Sequence, residues 1–214
     1  MFNQQFAKRN PFLYHLTAST NAPQIVRSGT LLSTASIARL AIQDAGQRKS
    51  FVQERRPEHV VLSGNGSSYS IRDQRPISMT VLDRSLTPGL RAGDFIELLN
   101  GRVFFWPTIN RLRRHYDRYT LESPVILRVK STALIELNPH VQLARLNTGA
   151  TRCHPKYGGN APTRGKGTFI PPDELDYSMA AIAEVTFPDY CRLPDTVWIA
   201  RMPEGPWIET KIKS

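Results

Sequence analysis

Cysteine is nearly absent. Cys153 and Cys191 are too few for a disulfide framework, and no Cys-x-x-Cys pair begins a zinc site. Both are expected to be reduced thiols, which points to a cytoplasmic protein. Long apolar runs are missing as well. No stretch approaches the roughly 18–20 residues that span a bilayer, so no membrane partner is expected. The opening Met-Phe-Asn-Gln-Gln-Phe-Ala-Lys-Arg-Asn has no continuous apolar segment of the secretory kind. Acid is short too: 18 Asp and Glu stand against 28 Lys and Arg, a formal net charge of +10. That balance favours polyanionic partners, nucleic acid foremost. Catalytic signatures are equally scarce. The chain has no phosphate-cradling Gly-x-x-x-x-Gly-Lys, no Gly-x-Gly-x-x-Gly after a strand, no His-Glu-x-x-His and no Gly-x-Ser-x-Gly. The five histidines fall at no ligand spacing, so no metal is expected.

What is present suits one domain over 1–214 with a real core, since 40% of the residues are hydrophobic. Phe12 to Thr17 alternates like a half-buried strand. The cluster Ser19-Thr20-Asn21 then opens a short helix that Gly29 closes. Ser33 or Thr34 caps a second helix through Ile37, Leu40 and Ala41, ending near Gly46. Residues 47–58 read as a solvated helix end or loop. Strands are expected at His59–Leu62, Val103–Trp106, Val125–Val129, Ala181–Phe187 and Thr196–Met202, with a basic helix over Arg111–Tyr119. This irregular mixture predicts an α+β domain with a mostly antiparallel core.

Five features bear on chemistry. His15 and Thr17 share a strand face, where an imidazole and a hydroxyl can bond a ribose or an amide, or the histidine is structural. Arg72, in Ile71-Arg72-Asp73-Gln74-Arg75-Pro76, can clamp a phosphate with Asp73 orienting it, or the segment is a plain surface turn. In Phe104-Phe105-Trp106 three consecutive aromatics cannot all face the core, so Phe105 or its two neighbours meet a pocket, a loop or solvent. Glu184 is one carboxylate in an apolar strand run, either turned outward or functional. Finally, no acid occurs from Leu137 to Pro172, whereas Arg145, Arg152, Lys156, Arg164 and Lys166 do, with five glycines and Tyr157. Such a loop suits a phosphate backbone and a stacked base, or is only a soluble loop.

Taken in order, His-x-Thr on the first strand, a short helix ending in Gly-x-Leu-Leu, a later Arg, Phe-Phe-Trp-Pro and Ala-Glu-Val resemble the DarT-type ADP-ribosyltransferases, bacterial toxins that use NAD to modify bases in single-stranded DNA. The Arg72-Asp73-Gln74 and Leu99–Trp106 segments also look like a branch of uncharacterised bacterial proteins related to that group. The resemblance runs from Leu13 to Pro194 and implies a split, mostly antiparallel β-core with short flanking helices. It implies NAD as ADP-ribose donor, held by His15, Thr17, Phe105 and Arg72, with Glu184 and Arg72 catalytic and no metal. It further implies a substrate loop ahead of Glu184, with Arg152, Lys156, Tyr157, Arg164 and Lys166 on single-stranded DNA or RNA, and a neutralising antitoxin of macrodomain type. Where better-known members have a Tyr-Phe run followed by Ser-Pro-Met, this chain has Phe-Phe-Trp-Pro-Thr-Ile-Asn, which leaves the target base open. The alternative is a basic nucleic-acid-binding module of the same fold without transfer activity. A protein-directed transferase or an NAD hydrolase fits the charge and the acid-free loop less well.

Overall fold

The computed structural model describes residues 2–152 and 158–212. Along the chain run α1 (Phe2–Arg9), β1 (Phe12–Thr17), α2 (Ala22–Ser28), β2 (Thr30–Leu32), α3 (Thr34–Ala41) and α4 (Ala45–Gln53). Then come β3 (Val60–Gly64), β4 (Ser67–Ile71), α5 (Met79–Ser85), α6 (Ala92–Asn100), β5 (Arg102–Phe105) and α7 (Ile109–Tyr116). The remainder comprises β6 (Val125–Lys130), α8 (Ser131–Leu137), β7 (Gln142–Ala144), β8 (Glu184–Pro188), β9 (Tyr190–Arg192), β10 (Thr196–Ala200) and β11 (Ile208–Lys211).

Two antiparallel sheets make the core, in the orders β1-β6-β10-β11 and β5-β8-β7. Among the described residues they meet at one backbone pair, in which Tyr14 and Trp106 exchange both amide hydrogen bonds at 3.0 and 2.8 Å. The α+β class and the antiparallel core are as expected. Alternation along the strands decides what each face carries. Leu13, Val103, Phe105, Leu127, Val129, Val185 and Phe187 join the main apolar cluster between the sheets. On the other face of β1 and β6, Leu16 and Ile126 pack under Leu112 of α7 with Trp106 and Tyr119. Phe95, Ile96 and Leu99 of α6 cover the outer face of the second sheet through Phe104 and Phe169.

Several boundaries differ from those the sequence suggests. α3 stops at Ala41, and a separate helix begins at Ala45 because the Asp44 carboxylate accepts from Gln47 N at 2.7 Å. Gly46 therefore lies inside the first turn of α4, and much of the polar 47–58 stretch is helix. Ser33 is the cap of α3, through Ser36 N. Asn21 precedes α2 without capping it. Its side-chain amide instead bonds the backbone of Ser70 on β4 in both directions, at 2.8 and 2.9 Å. Met179–Ala181 is a turn of 3-10 helix, so β8 starts only at Glu184. The β3–β4 hairpin lies tight on α3: a Cβ on Gly64 would come 2.6 Å from the Leu40 carbonyl oxygen. Among the described residues, no helix is long and apolar enough to cross a membrane.

Candidate active site

A cavity of about 470 Å³ opens where the two sheets part, a size that suits a small-molecule ligand. The end of β1 forms one wall with His15 and Thr17, and the β4 end carries Arg72. Glu184 faces it from β8, and Phe104 from β5. Four residues singled out from sequence, scattered over 170 positions of chain, thus line one space.

His15 is fixed by its Nδ1, which lies 2.8 Å from the Phe104 carbonyl oxygen. A carbonyl only accepts, so Nδ1 carries the proton and Nε2 keeps its lone pair. Burial lowers the His15 pKa to about 4 against the raising effect of that bond, and nearby Arg72 lowers it further. Near neutral pH the ring is an uncharged acceptor suited to a hydroxyl or amide N–H. Thr17 adds a buried hydroxyl on the same strand face.

Arg72 is the least satisfied group of the site. Its Nε, Nη1 and Nη2 are all buried without a hydrogen-bond partner among the described residues. The guanidinium lies 4.3 Å from the centre of the Tyr119 ring, and that stacking orients it without neutralising it. Asp73 is not its partner, contrary to the sequence expectation. The Asp73 carboxylate accepts from Arg75 N at 3.0 Å and sits 2.8 Å from Arg75 Nη2. Burial lowers the Arg72 pKa from its ordinary value while Glu122, Tyr119 and Asp73 oppose that change. A desolvated cation with empty donors favours an anion in its cavity.

Glu184 is 3% exposed. As the first residue of β8 it points away from Val185 and Phe187, which are core. Thr148 holds the carboxylate, with its N–H 3.2 Å from both oxygens and its hydroxyl donating to Oε2 at 2.7 Å. Burial raises the pKa to about 7, although the Thr148 bonds and the charges of Arg111 and Arg164 pull it down. An acid poised there can serve as carboxylate or as proton carrier near neutral pH.

The remaining expected residues divide. Phe105 is fully buried between His15 and Phe187 and does not line the cavity. The register supplies the reason: Phe104 opposes Thr186 and Phe105 opposes Val185, so Phe104 shares the Glu184 face. Arg164, expected on a nucleic-acid strand, is 1% exposed. Its guanidinium donates to Pro162 O and Ala150 O at 2.8 and 2.7 Å, and its backbone bonds Ser85 and Thr87. It pins the loop from within. Arg152 and Lys166 are exposed, whereas Lys156 and Tyr157, like Cys153 and His154, lie outside the described residues. Cys191 is a free, buried thiol.

Sequence reasoning missed four lining or supporting groups. Thr148 lies in the acid-free loop, and only the fold brings it to Glu184. Arg56, just after α4, and Asn100, the last residue of α6, lie 44 positions apart in sequence and meet in the fold, with Arg56 Nη2 donating to Asn100 Oδ1 at 2.9 Å. His115, on the basic helix α7, lines the cavity against Trp106 and Tyr119, and burial lowers its pKa to about 3, helped by Arg72 and other neighbouring positive charges.

Residues 11–193 match the family model described as a family of unknown function, DUF7002. The chain belongs to the DUF7002 family. No curated protein and no solved structure matches it. In this DUF7002 chain the matched span holds every cavity-lining residue discussed above.

Proposed function

We propose that the protein is an NAD-dependent ADP-ribosyltransferase of the DarT type, with an ADP-ribosyltransferase-like fold and a base in nucleic acid as acceptor, single-stranded DNA foremost. One observation carries the reading: a neutral acceptor His15, an unpartnered Arg72 and a carboxyl group at Glu184 line the same cavity. That donor set fits the parts of a dinucleotide. His15 Nε2 accepts from ribose or carboxamide N–H and O–H groups, Thr17 adds a hydroxyl, and Arg72 offers its empty N–H groups to phosphate.

NAD, when bound, supplies the transferable group: its ribose C1′–N bond breaks, nicotinamide leaves with the electron pair, and a base nitrogen bonds C1′ while losing its proton. Glu184 faces that chemistry from β8. Ionised, it stabilises positive charge developing on the ribose, as carboxylates do in glycoside hydrolysis. The same carboxylate can take the proton lost by the acceptor base. Thr148 holds it in place meanwhile.

The acceptor side is best served by α7. Arg111, Arg114 and Arg118 project from it or just beyond it, exposed, and make no ion pair among the described residues, whereas Arg113 pairs with Glu204 at 2.6 Å. Arg111 is close enough to Glu184 to influence its charge, and Arg118 lines the cavity mouth. A polyanion laid along this helix would run past the carboxyl group.

Labelled NAD incubated with separate pools of single-stranded DNA, duplex DNA and RNA tests the reading. Label on polymer is expected, and Glu184→Ala should abolish it while the variant still melts cooperatively. Band shifts without label would favour the inactive binding module. Label retained by Glu184→Ala would remove Glu184 from the mechanism.

A further inference from the structure

No motif announces Arg56, which follows α4 by three positions. Its backbone is stitched to the segment after β4: Gln74 N donates to Arg56 O at 2.7 Å, and Arg56 N donates to Gln74 Oε1 at 3.1 Å. The stitch brings Arg56 to the cavity that Arg72 lines, two positions before Gln74. Arg56 is 8% exposed. Among the described residues only its Nη2 has a hydrogen-bond partner, Asn100 Oδ1, while Nε and Nη1 are buried with none. Asn100 is itself held, its amide donating to Val52 O at 2.7 Å and its Oδ1 also accepting from Gln74 at 3.1 Å. The arginine is thus oriented by neutral groups that leave its charge intact.

Among the described residues, no acid is bonded to either guanidinium. Asp73, between Arg72 and Gln74, is engaged by Arg75, and Glu184 is bonded to Thr148. The Asp73 carboxylate also lines the cavity and acts on both guanidinia through space, but it is bonded to Arg75, so two guanidinia in one low-dielectric cavity still favour added anionic charge between them. One phosphate would satisfy one of them. Two linked phosphates match two planar forks, each able to bond in bidentate fashion.

We propose that Arg56 and Arg72 form a diphosphate clamp, so that the cavity takes a nucleoside diphosphate group in preference to a monophosphate. The clamp rests on the nucleotide reading above for its ligand class, but not on any transfer reaction.

The test compares ADP, AMP and inorganic pyrophosphate as titrants of the full chain by calorimetry. ADP should bind about tenfold or more tightly than AMP, because the second phosphate gains charge-assisted hydrogen bonds. Pyrophosphate should compete with ADP. Arg56→Met should bring ADP down to the affinity of AMP while the ligand-free melting temperature holds or rises, since an unpaired buried charge is gone. A structural Arg56 behaves oppositely: the variant melts lower and the ADP-to-AMP ratio stays, which overturns the clamp. Should Arg56→Met not fold, the wild-type ratio decides, a tenfold preference supporting the clamp and equal affinities overturning it. Selective ADP binding without label transfer from NAD would remove the transferase and keep the clamp. Transfer with an ADP-to-AMP ratio near unity would do the reverse.

Discussion

Glu184 carries its environment in its proton affinity. Its carboxyl is raised by burial from 4.5 to about 7, so the folded chain binds a proton there that the unfolded chain releases. The stability from that protonated form is full below pH 4.5 and is lost as pH rises through about 7. Glu184→Gln cannot titrate. The difference in unfolding free energy between wild type and Glu184→Gln should therefore shift by roughly 3 kcal/mol against the wild type between pH 4.5 and 8. Denaturant melts at matched pH read it, and a flat difference would show an ordinary carboxyl. If the ionised form acts in transfer, the rate should climb over the same window. His15 and Thr17 are legible because period-two alternation places them together whatever lies across from them. Phe105 is misleading because parity within Phe104-Phe105-Trp106 is set by the partner strand, where Val185 joins the main apolar cluster and the equally buried Thr186 does not. Arg164 misleads for a related reason: composition counts a basic residue but does not reveal the Pro162 and Ala150 carbonyls that hold it.

Among the elements, the β3–β4 hairpin closes part of the cavity through Tyr69, Ser70 and Ile71. Asn21 ties it down with two bonds to Ser70. Each is worth about 1 kcal/mol net. Asn21→Ala should loosen the hairpin by about 2 kcal/mol and speed amide exchange at Ser70 roughly thirtyfold, with β1 and β6 amides unaffected. Exchange that rises equally across both sheets would mean that Asn21 supports the whole fold. Sequence suggests Asn21 as a helix cap because Ser, Thr and Asn clusters do precede helices. The competing partner, 49 positions away, is a tertiary fact. The break between α3 and α4 has a local signal, Asp44 ahead of Ala45, but the periodic apolar pattern through Leu40 and Ala41 conceals it.

For the molecule as a whole, the net charge of +10 is a bulk quantity, whereas binding depends on where unpaired cations gather. If α7 holds the polymer, Arg111→Gln with Arg114→Gln should weaken single-strand binding without regard to sequence. The slope of log K against log salt should fall by about 1.4, since each phosphate no longer neutralised takes away near 0.7. Equivalent changes at Arg152 and Lys166 measure the glycine-rich loop's share, and an unchanged slope for the α7 pair would place the polymer on that loop instead. The class of fold and the two ends of the site are readable from sequence because strands advertise themselves locally. Arg56 is not, since its role arises from a stitch to Gln74 that no local pattern encodes.

The seam between the sheets has a mechanical side. His15 and Thr17 belong to one sheet and Phe104 and Glu184 to the other, and the Tyr14–Trp106 peptide pair joins the two plates beside the cavity. The His15 ring spans the same gap by grasping the Phe104 carbonyl. A molecule seated there touches both plates at once and serves as a strut. How far apart the imidazole and the carboxyl stand then depends on how the plates sit about the Tyr14–Trp106 pair and the His15–Phe104 bond, so packing changes remote from any ligand can alter the chemistry by changing that arrangement.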